Sequence, residues 1–200
     1  MSSHLQSEIL EQPDALRRLL SEERENIARA AAAIRAANPK FVVLAARGTS
    51  DNAARYSQYL FSTMNGLQAA LATPSTFTLY KKPPRLADAV VIAISQSGQS
   101  PDIVTVIEEG RRQSALTIAV TNMPDSPLAL AAEHVIYLHA GTEIAVAATK
   151  TYTNSLMAMA MLNEFIANTD RLVDPLIFVP DWVSEVTQRA DQIIRAAERY

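Results

Sequence analysis

Short apolar runs that do not alternate with polar residues constrain the fold of this chain more than any other feature. Four such runs lie at residues 41–45, 89–94, 116–120 and 134–138, and a weaker fifth lies at 67–72. Because these runs are rich in Val and Ile and show no repeating polar face, they are typical of strands covered on both sides. We therefore expect five buried strands.

Segments with helical spacing separate the runs. They cover residues 51–64, 101–113, 126–133 and 149–167. Strands that alternate with helices along the chain favour a parallel sheet, because each helix returns the chain to the same end of the sheet. The sequence therefore predicts an α/β fold: a doubly wound, three-layer α/β/α sandwich around a mainly parallel five-stranded sheet.

Helical segments flank this core on both sides. Pro13 suits the first turn of a helix, apolar residues then recur at helical spacing, and Asn38-Pro39 ends the pattern. Two proline-containing dipeptides interrupt the chain after residue 168, before a last helix at 182–200. We divide the sequence into an N-terminal helical segment (1–38), a central domain (39–168), and a linker with a helix that leads to a further domain (169–200).

Composition excludes several classes of protein and of site. The 200 residues are 48% apolar and 20% charged, which is ordinary for a globular domain. The net charge is −3 and no basic stripe is present, so we expect no nucleic-acid partner. The absence of cysteine excludes disulfides, thiol nucleophiles and thiolate metal sites. The three histidines have no metal-ligand spacing, and we expect neither a metal nor another cofactor.

The distribution of apolar residues also bears on location. No apolar run reaches the ~18 residues of a membrane-spanning helix. Residues 1–9 lack the basic and then apolar pattern of a secretory signal. We therefore expect a cytoplasmic protein without a membrane partner.

The turn after the run at 89–94 is the most polar of the strand-to-helix turns. It reads Ser-Gln-Ser-Gly-Gln-Ser-Pro-Asp from residue 95, with Pro101 opening the next helix. Ligands of open α/β sheets bind at the carboxyl ends of the strands. Hydroxyls and the free N–H groups of a helix start suit a phosphate monoester, and no Lys or Arg lies in this turn. The turn therefore predicts a phosphate site based on hydrogen bonds.

The turn after the run at 41–45 reads Arg47-Gly48-Thr49-Ser50. Gly48 permits close approach of the backbone, and two hydroxyls follow it just before a helix. Taken alone, this turn favours ordinary helix capping over ligand binding, because Ser and Thr are common caps.

The turn after the run at 134–138 leads to a lysine at an unusual place. Lys150 falls near the start of a helix, where a cation opposes the helix dipole at a cost of a few tenths of a kcal/mol to ~1 kcal/mol. Either Lys150 is solvated, or it has a local partner such as Glu143 or a bound anion. The sequence leaves both interpretations open.

The helical segment at 155–166 is apolar nearly all round. Met157, Met159 and Met161 in it are best interpreted as packing residues. A helix of this kind is usually covered on several sides. We expect a second subunit or a second domain to cover it, and the favoured form is a homodimer.

Together, the three turns resemble those of the sugar isomerase (SIS) family of phosphosugar-binding domains. They read Arg-Gly-Thr-Ser from residue 47, Ser-Gln-Ser-Gly from 95, and Gly-Thr-Glu-Ile from 141 followed by Ala-Thr-Lys ending at 150. The likeness covers about residues 8–168, and it is greatest to the first isomerase domain of glucosamine-6-phosphate synthases and related amino-sugar-phosphate deaminases. The resemblance implies a substrate-binding set of Thr49, Ser50, Ser95, Gln96, Ser97, Ser100 and, through its backbone, Val146.

The chain departs from the family pattern at several positions. Arg47 replaces a residue that is often cysteine, and Ser100 stands where threonine is usual but keeps the hydroxyl. Ala145 and Ala148 replace the usual glycine and serine, so the resemblance implies fewer contacts from the third turn. In two-domain relatives the catalytic residues belong to the second domain and its tail, so the catalytic residues stay unassigned here.

The resemblance implies that the chain binds a hexose or hexosamine 6-phosphate. It would do so as the first SIS domain of an amino-sugar-phosphate isomerase or deaminase that has no glutaminase domain. The parent would be an enzyme, and we expect these 200 residues alone to be inactive. The alternative is a regulatory module that senses a sugar phosphate through the same fold. The turns do not reveal which sugar phosphate binds.

Overall fold

A computed structural model of the chain describes residues 3–168 and 175–199. In these residues five strands form one sheet: β1 (Phe41–Ala46), β2 (Gln68–Leu71), β3 (Ala89–Ile94), β4 (Leu116–Thr121) and β5 (His134–Tyr137). The strand order is β2-β1-β3-β4-β5, and all neighbouring strands are parallel. The predicted parallel five-stranded sheet is confirmed.

Ten α-helices lie in the described part of the chain. They are α1 (His4–Leu10), α2 (Gln12–Glu22), α3 (Arg24–Ala37), α4 (Thr49–Asn65), α5 (Pro74–Thr78), α6 (Pro101–Arg112), α7 (Pro127–Ala131), α8 (Lys150–Ala167), α9 (Val179–Gln188) and α10 (Ala190–Ala197). A 3₁₀ turn at Pro175–Phe178 precedes α9. In these residues no helix is long and apolar enough to span a membrane.

The two flanking segments differ from the sequence prediction. The expected N-terminal helix is divided between α2 and α3 at Glu23, whose buried carboxylate accepts a hydrogen bond from the Tyr137 N–H. The helix pattern does end at Asn38, which adopts a left-handed conformation with φ 45°. The expected last helix is broken at Arg189 into α9 and α10. Tyr200 lies outside the described residues.

Successive residues of each strand face opposite sides of the sheet, and both sides are covered. In β3, Val90, Ile92 and Ile94 belong to a core shared with α2, α3, α4 and α8. Val91 and Ala93 belong to a second core shared with α5, α6 and α7. These two cores produce the predicted three layers.

Helix α8 is apolar nearly all round because it lies inside the fold. Helices α2, α3 and α4 of the same chain contact it, and Met157, Met159 and Met161 are at most 4% exposed. Their packing role is confirmed. The expectation that a second subunit or domain covers residues 155–166 was wrong, because the chain's own helices cover them.

Candidate functional site

The strand order creates a crevice between β1 and β3. From β1 the chain passes to β2 on one side of the sheet, whereas β3, β4 and β5 extend on the other side. Ligands of such sheets bind at the carboxyl ends of the two strands where the order reverses. Ala46 and Ile94 are register partners at those ends. The first turn (47–50) and the second turn (95–100) therefore begin side by side.

Backbone hydrogen bonds fix the second turn. The Ser95 N–H donates to the Val120 carbonyl (3.0 Å), and the Gln96 carbonyl accepts from the Asn122 N–H (3.0 Å). Farther along the turn, the Gly98 carbonyl accepts from the Leu128 N–H (3.1 Å). Since β4, the residue that follows it and α7 supply these bonds, the turn keeps its shape without using most of its own side chains.

Only glycine fits at position 98 of this turn. Its φ is +61°, and its N–H donates to both Oγ and the carbonyl of Ser95 at 3.2 Å. A Cβ at this position would lie 2.1 Å from Oγ of Ser126 and 2.5 Å from its Cβ. Ser126 in turn caps α7 by accepting from the Ala129 N–H. The glycine therefore lets the turn pack directly on the start of α7.

The hydroxyls of the second turn differ in their surroundings. Ser95 is buried, and its Oγ accepts the Gly98 N–H. Ser97 is partly exposed, and its Oγ accepts from the Gln99 N–H over a long 3.3 Å. Ser100 is the N-cap residue of α6, yet its side chain makes no capping hydrogen bond. Two partly exposed hydroxyls, at Ser97 and Ser100, therefore precede α6 with capacity to donate.

The first turn lies across the crevice from the second. Gly48 is the N-cap residue of α4 with φ 57° and ψ −132°, a conformation that favours glycine. Thr49 and Ser50 are the first residues of α4, and no side chain caps this helix. Thr49 is exposed and Ser50 is partly exposed. The capping interpretation of these two hydroxyls is therefore wrong.

Arg47 connects the first turn to the start of α6. Its Nη1 lies 2.6 Å from Oδ2 of Asp102, the second residue of α6. The sequence contains no Lys or Arg between residues 95 and 102. The fold nevertheless brings a guanidinium next to the helix that follows the second turn, and the residue spacing gave no signal of this pairing.

Carboxylates hold the third turn (141–149). Glu8 on α1 is 4% exposed and accepts from the N–H groups of Ile144 (2.5 Å) and Ala145 (3.2 Å). Glu143 accepts from the N–H and hydroxyl of Thr149. Val146 is fully exposed at the tip of this turn.

Lys150 is buried and paired. It is 2% exposed, and its Nζ contacts Oε2 of Glu11 (2.6 Å) and donates to the Thr142 carbonyl (2.8 Å). The interpretation of Lys150 as a solvated side chain was wrong. The partner is Glu11, 139 positions away in the sequence, and not the nearby Glu143.

Asn122 was missed by the sequence analysis although it follows β4 directly. Its N–H donates to the Gln96 carbonyl in the second turn. Its side chain donates to the Gly141 carbonyl (2.8 Å) and accepts from the Ala140 N–H (3.0 Å). Asn122 thus links the second turn to the third, and a polar residue at a strand end was the signal that could have found it.

His139, which lies shortly after β5, has carboxylate partners on both sides of its ring. The two ring nitrogens of His139 lie 3.0 Å from a carboxylate oxygen of Glu22 and 2.9 Å from one of Glu23. Across residues 3–168 and 175–199, no group of three or more His, Asp or Glu side chains could hold a metal ion.

Comparisons with known proteins agree with this architecture. The SIS domain matches residues 36–164. A glutamine–fructose-6-phosphate aminotransferase (isomerizing) of Thermus thermophilus is 31% identical over 209 residues, covering 98% of this chain and 34% of that protein. The chain spans about a third of the length of the curated relatives it matches.

Two solved structures illustrate the similarity in fold. A protein of Silicibacter pomeroyi DSS-3, provisionally assigned as a phosphosugar isomerase, superposes with a TM-score of 0.88 at 40% identity and covers 92% of this chain and 56% of that one. The C-terminal domain of glucosamine-fructose-6-phosphate aminotransferase from Francisella tularensis gives a TM-score of 0.74 at 21% identity, with 94% and 54% covered. Because the family match spans more than half of its residues, the chain belongs to the SIS domain family.

Proposed function

We propose that the chain binds a hexose or hexosamine 6-phosphate in the crevice between β1 and β3, with the phosphate on the second turn. The observation that carries the proposal is the pair of hydroxyls at Ser97 and Ser100, which precede α6 without capping it. A phosphate dianion suits this place, because the helix dipole favours negative charge at the start of a helix.

In this proposal, the two turns of the crevice contact different parts of the ligand. The second turn would bind the phosphate oxygens, and the partly exposed start of α4 would contact the sugar. The third turn would add at most a backbone contact, because carboxylates already occupy two of its N–H groups. The proposed binding residues are Ser95, Gln96, Ser97 and Ser100 for the phosphate, Thr49 and Ser50 for the sugar, and the Val146 backbone.

Calorimetric titration with glucose 6-phosphate, fructose 6-phosphate and glucosamine 6-phosphate tests the proposal. At least one should bind, and it should bind about a hundredfold or more tighter than its unphosphorylated sugar, since several hydrogen bonds to a charged group are lost without the phosphate. Inorganic phosphate should compete. If none of the three binds, or if the unphosphorylated sugar binds equally well, the proposal is wrong.

We propose further that the chain is the first of two SIS domains of an enzyme, with the division 1–38, 39–168 and 169–200 given above. The relatives include an aminotransferase and a provisionally assigned isomerase, so the family context is enzymatic. Aldose–ketose conversion or deamination needs a general acid and base near C1 and C2 of the sugar, which would come from the second domain. A cytoplasmic location, and the absence of a cofactor and of membrane or nucleic-acid partners, stay predictions.

The rival function is a regulator that senses the same ligand. A second SIS domain after residue 200 in the parent would favour the enzyme, and a DNA-binding helix-turn-helix before residue 1 would favour the regulator. For the enzyme, we expect these 200 residues alone to release neither ammonia nor fructose 6-phosphate from glucosamine 6-phosphate. Turnover well above a heat-killed control would contradict this expectation.

Homodimer formation also stays a proposal, through a surface other than α8. Trp182, Val186 and Ile193 on α9 and α10 are each more than half exposed, and they line a groove of about 820 Å³ that α1 completes. Light scattering at high micromolar concentration should give the mass of a dimer, and Val186→Glu should give a monomer. A monomeric wild type would contradict the homodimer and favour a second domain in this groove.

A further inference from the structure

Arg47 is placed where a cation can reach the phosphate turn. It is the first residue after β1, and Ala46 before it is the register partner of Ile94, which precedes Ser95. The side chain extends from the first turn to Asp102, the second residue of α6. The guanidinium therefore lies beside the start of the helix that carries the proposed phosphate site.

Asp102 creates an electrostatic problem for that site. Its side chain is 25% exposed, and its carboxylate occupies the positive end of the α6 dipole. A phosphate dianion at the same helix start would face this carboxylate, and like charges at close range oppose binding. A cation that offsets Asp102 would therefore favour phosphate binding, and Arg47 already contacts this carboxylate.

We propose that Arg47 is a ligand of the phosphate group and that Asp102 is its resting partner, so that binding moves the guanidinium from the carboxylate onto the phosphate or shares it between them. This inference rests on the proposed function, which did not include a cationic contact. It makes the site selective for a dianionic phosphate over a neutral sugar.

The exposure of Arg47 permits this exchange. Its side chain is 66% exposed, and an ion pair with that much solvent contact is weak. A guanidinium also has five N–H donors in a planar fork, which can bind carboxylate and phosphate oxygens together. The alternative is that the Arg47–Asp102 pair is only a bridge that holds the two turns together.

Three variants separate the ligand role from the bridge, with the hexose 6-phosphate that binds the wild type most tightly as the probe. Arg47→Ala should weaken binding about ten- to a hundredfold, since one charge-assisted contact is lost, and Arg47→Lys should recover part of it. Asp102→Asn keeps the oxygen that accepts the Ile103 N–H, and it should strengthen binding severalfold because it frees Arg47 and removes a negative charge.

The opposite signs of the two effects are the decisive result. A bridge would be broken by either variant, so both would weaken binding and lower the melting temperature. Arg55→Ala is the matched control, because Arg55 is 61% exposed and also pairs with a carboxylate, that of Asp51 on α4. It should leave the affinity within twofold.

Several outcomes would overturn the inference. If the wild type binds a hexose 6-phosphate and Arg47→Ala binds within twofold of it, Arg47 is not a ligand although the proposed function stands. If Arg47→Ala does not fold, Asp102→Asn decides, and weaker binding by that variant contradicts the inference. If the wild type binds no hexose 6-phosphate, the proposed function and this inference both fail.

Discussion

The second and third turns both follow a parallel strand, but different parts of the chain hold them in place. Backbone groups of β4 and α7, at the same edge of the sheet, hold the second turn. The third turn depends on Glu8, which contacts Ile144 across 136 positions of sequence, and on Glu11, which pairs with Lys150 across 139. One turn is thus fixed mainly by nearby backbone groups, and the other mainly by carboxylates, of which Glu8 and Glu11 belong to the N-terminal helical segment.

This difference decides what each turn has left for a ligand. In the second turn, the Ser97 hydroxyl accepts only a long 3.3 Å bond from the Gln99 N–H, and the Ser100 hydroxyl does not cap α6. In the third turn, Glu8 already accepts the N–H groups of Ile144 and Ala145. The second turn, held by backbone bonds, therefore has side-chain hydroxyls available for a ligand. In the third turn, carboxylates already occupy N–H groups that could bind one.

Gly98→Ala should have the largest effect, because it disturbs the close packing of the second turn on the start of α7. The new Cβ would overlap Ser126, and an alanine at φ +61° is also strained. We expect unfolding to become easier by about 3 kcal/mol or more, and sugar phosphate binding to be lost. Urea denaturation and calorimetric titration measure the two effects.

Gly66→Ala is the matched control for this substitution. Gly66 has a similar φ of +64°, but nothing lies within 4 Å of its added Cβ. The loss there should be limited to the backbone strain of about 1–2 kcal/mol, with binding intact. Equal effects at the two glycines would mean that the contact with Ser126 does not matter.

The fold and the second turn were largely predictable from the sequence, because their determinants are local. Buried parallel strands appear as short apolar runs, and the strand-end position of residues 95–100 follows from the α/β pattern. The short helix α5 was missed, since Pro74–Thr78 is too brief to show helical spacing. The break at Glu23 was missed because the Glu23 carboxylate accepts a hydrogen bond from the Tyr137 N–H, 114 positions along the chain.

The third turn and Arg47 were not predictable, because their partners are distant in sequence. Nothing near Lys150 in the sequence indicates that it will pair with Glu11, so a solvated lysine, Glu143 and a bound anion all stayed open. The Arg47–Asp102 pair joins residues 55 positions apart through the register of β1 and β3. Contacts of this kind depend on the packed fold and leave no periodic signal.

Glu11→Gln should have an intermediate effect, on the third turn alone. It removes the negative charge opposite Lys150, which is 2% exposed, and leaves the ammonium only neutral acceptors, the glutamine oxygen and the Thr142 carbonyl. Breaking a buried pair typically costs ~3–5 kcal/mol, and we expect about 2 kcal/mol here because Glu11 itself is half exposed. Urea denaturation measures the loss, and the affinity for a sugar phosphate should change little.

Asp14→Asn provides the comparison for the loss of a carboxylate. Asp14 is 73% exposed and pairs with Arg17, which is 47% exposed, so its loss should cost less than ~1 kcal/mol. A Glu11→Gln protein as stable as Asp14→Asn would show that the N-terminal helical segment does not stabilise the third turn through this pair.

Ser97→Ala should have the smallest effect on stability and most directly tests the claim that the hydroxyls of the second turn bind the phosphate. Calorimetric titration should show hexose 6-phosphate binding weakened about ten- to a hundredfold, since a hydrogen bond to a charged group contributes ~1.5–3 kcal/mol. The melting temperature should stay close to that of the wild type, because Ser97 makes only a 3.3 Å bond to the Gln99 N–H. Unchanged affinity, with a loss of ~1 kcal/mol in folding, would mean that Ser97 serves the turn alone, and it would contradict the assignment of the phosphate site.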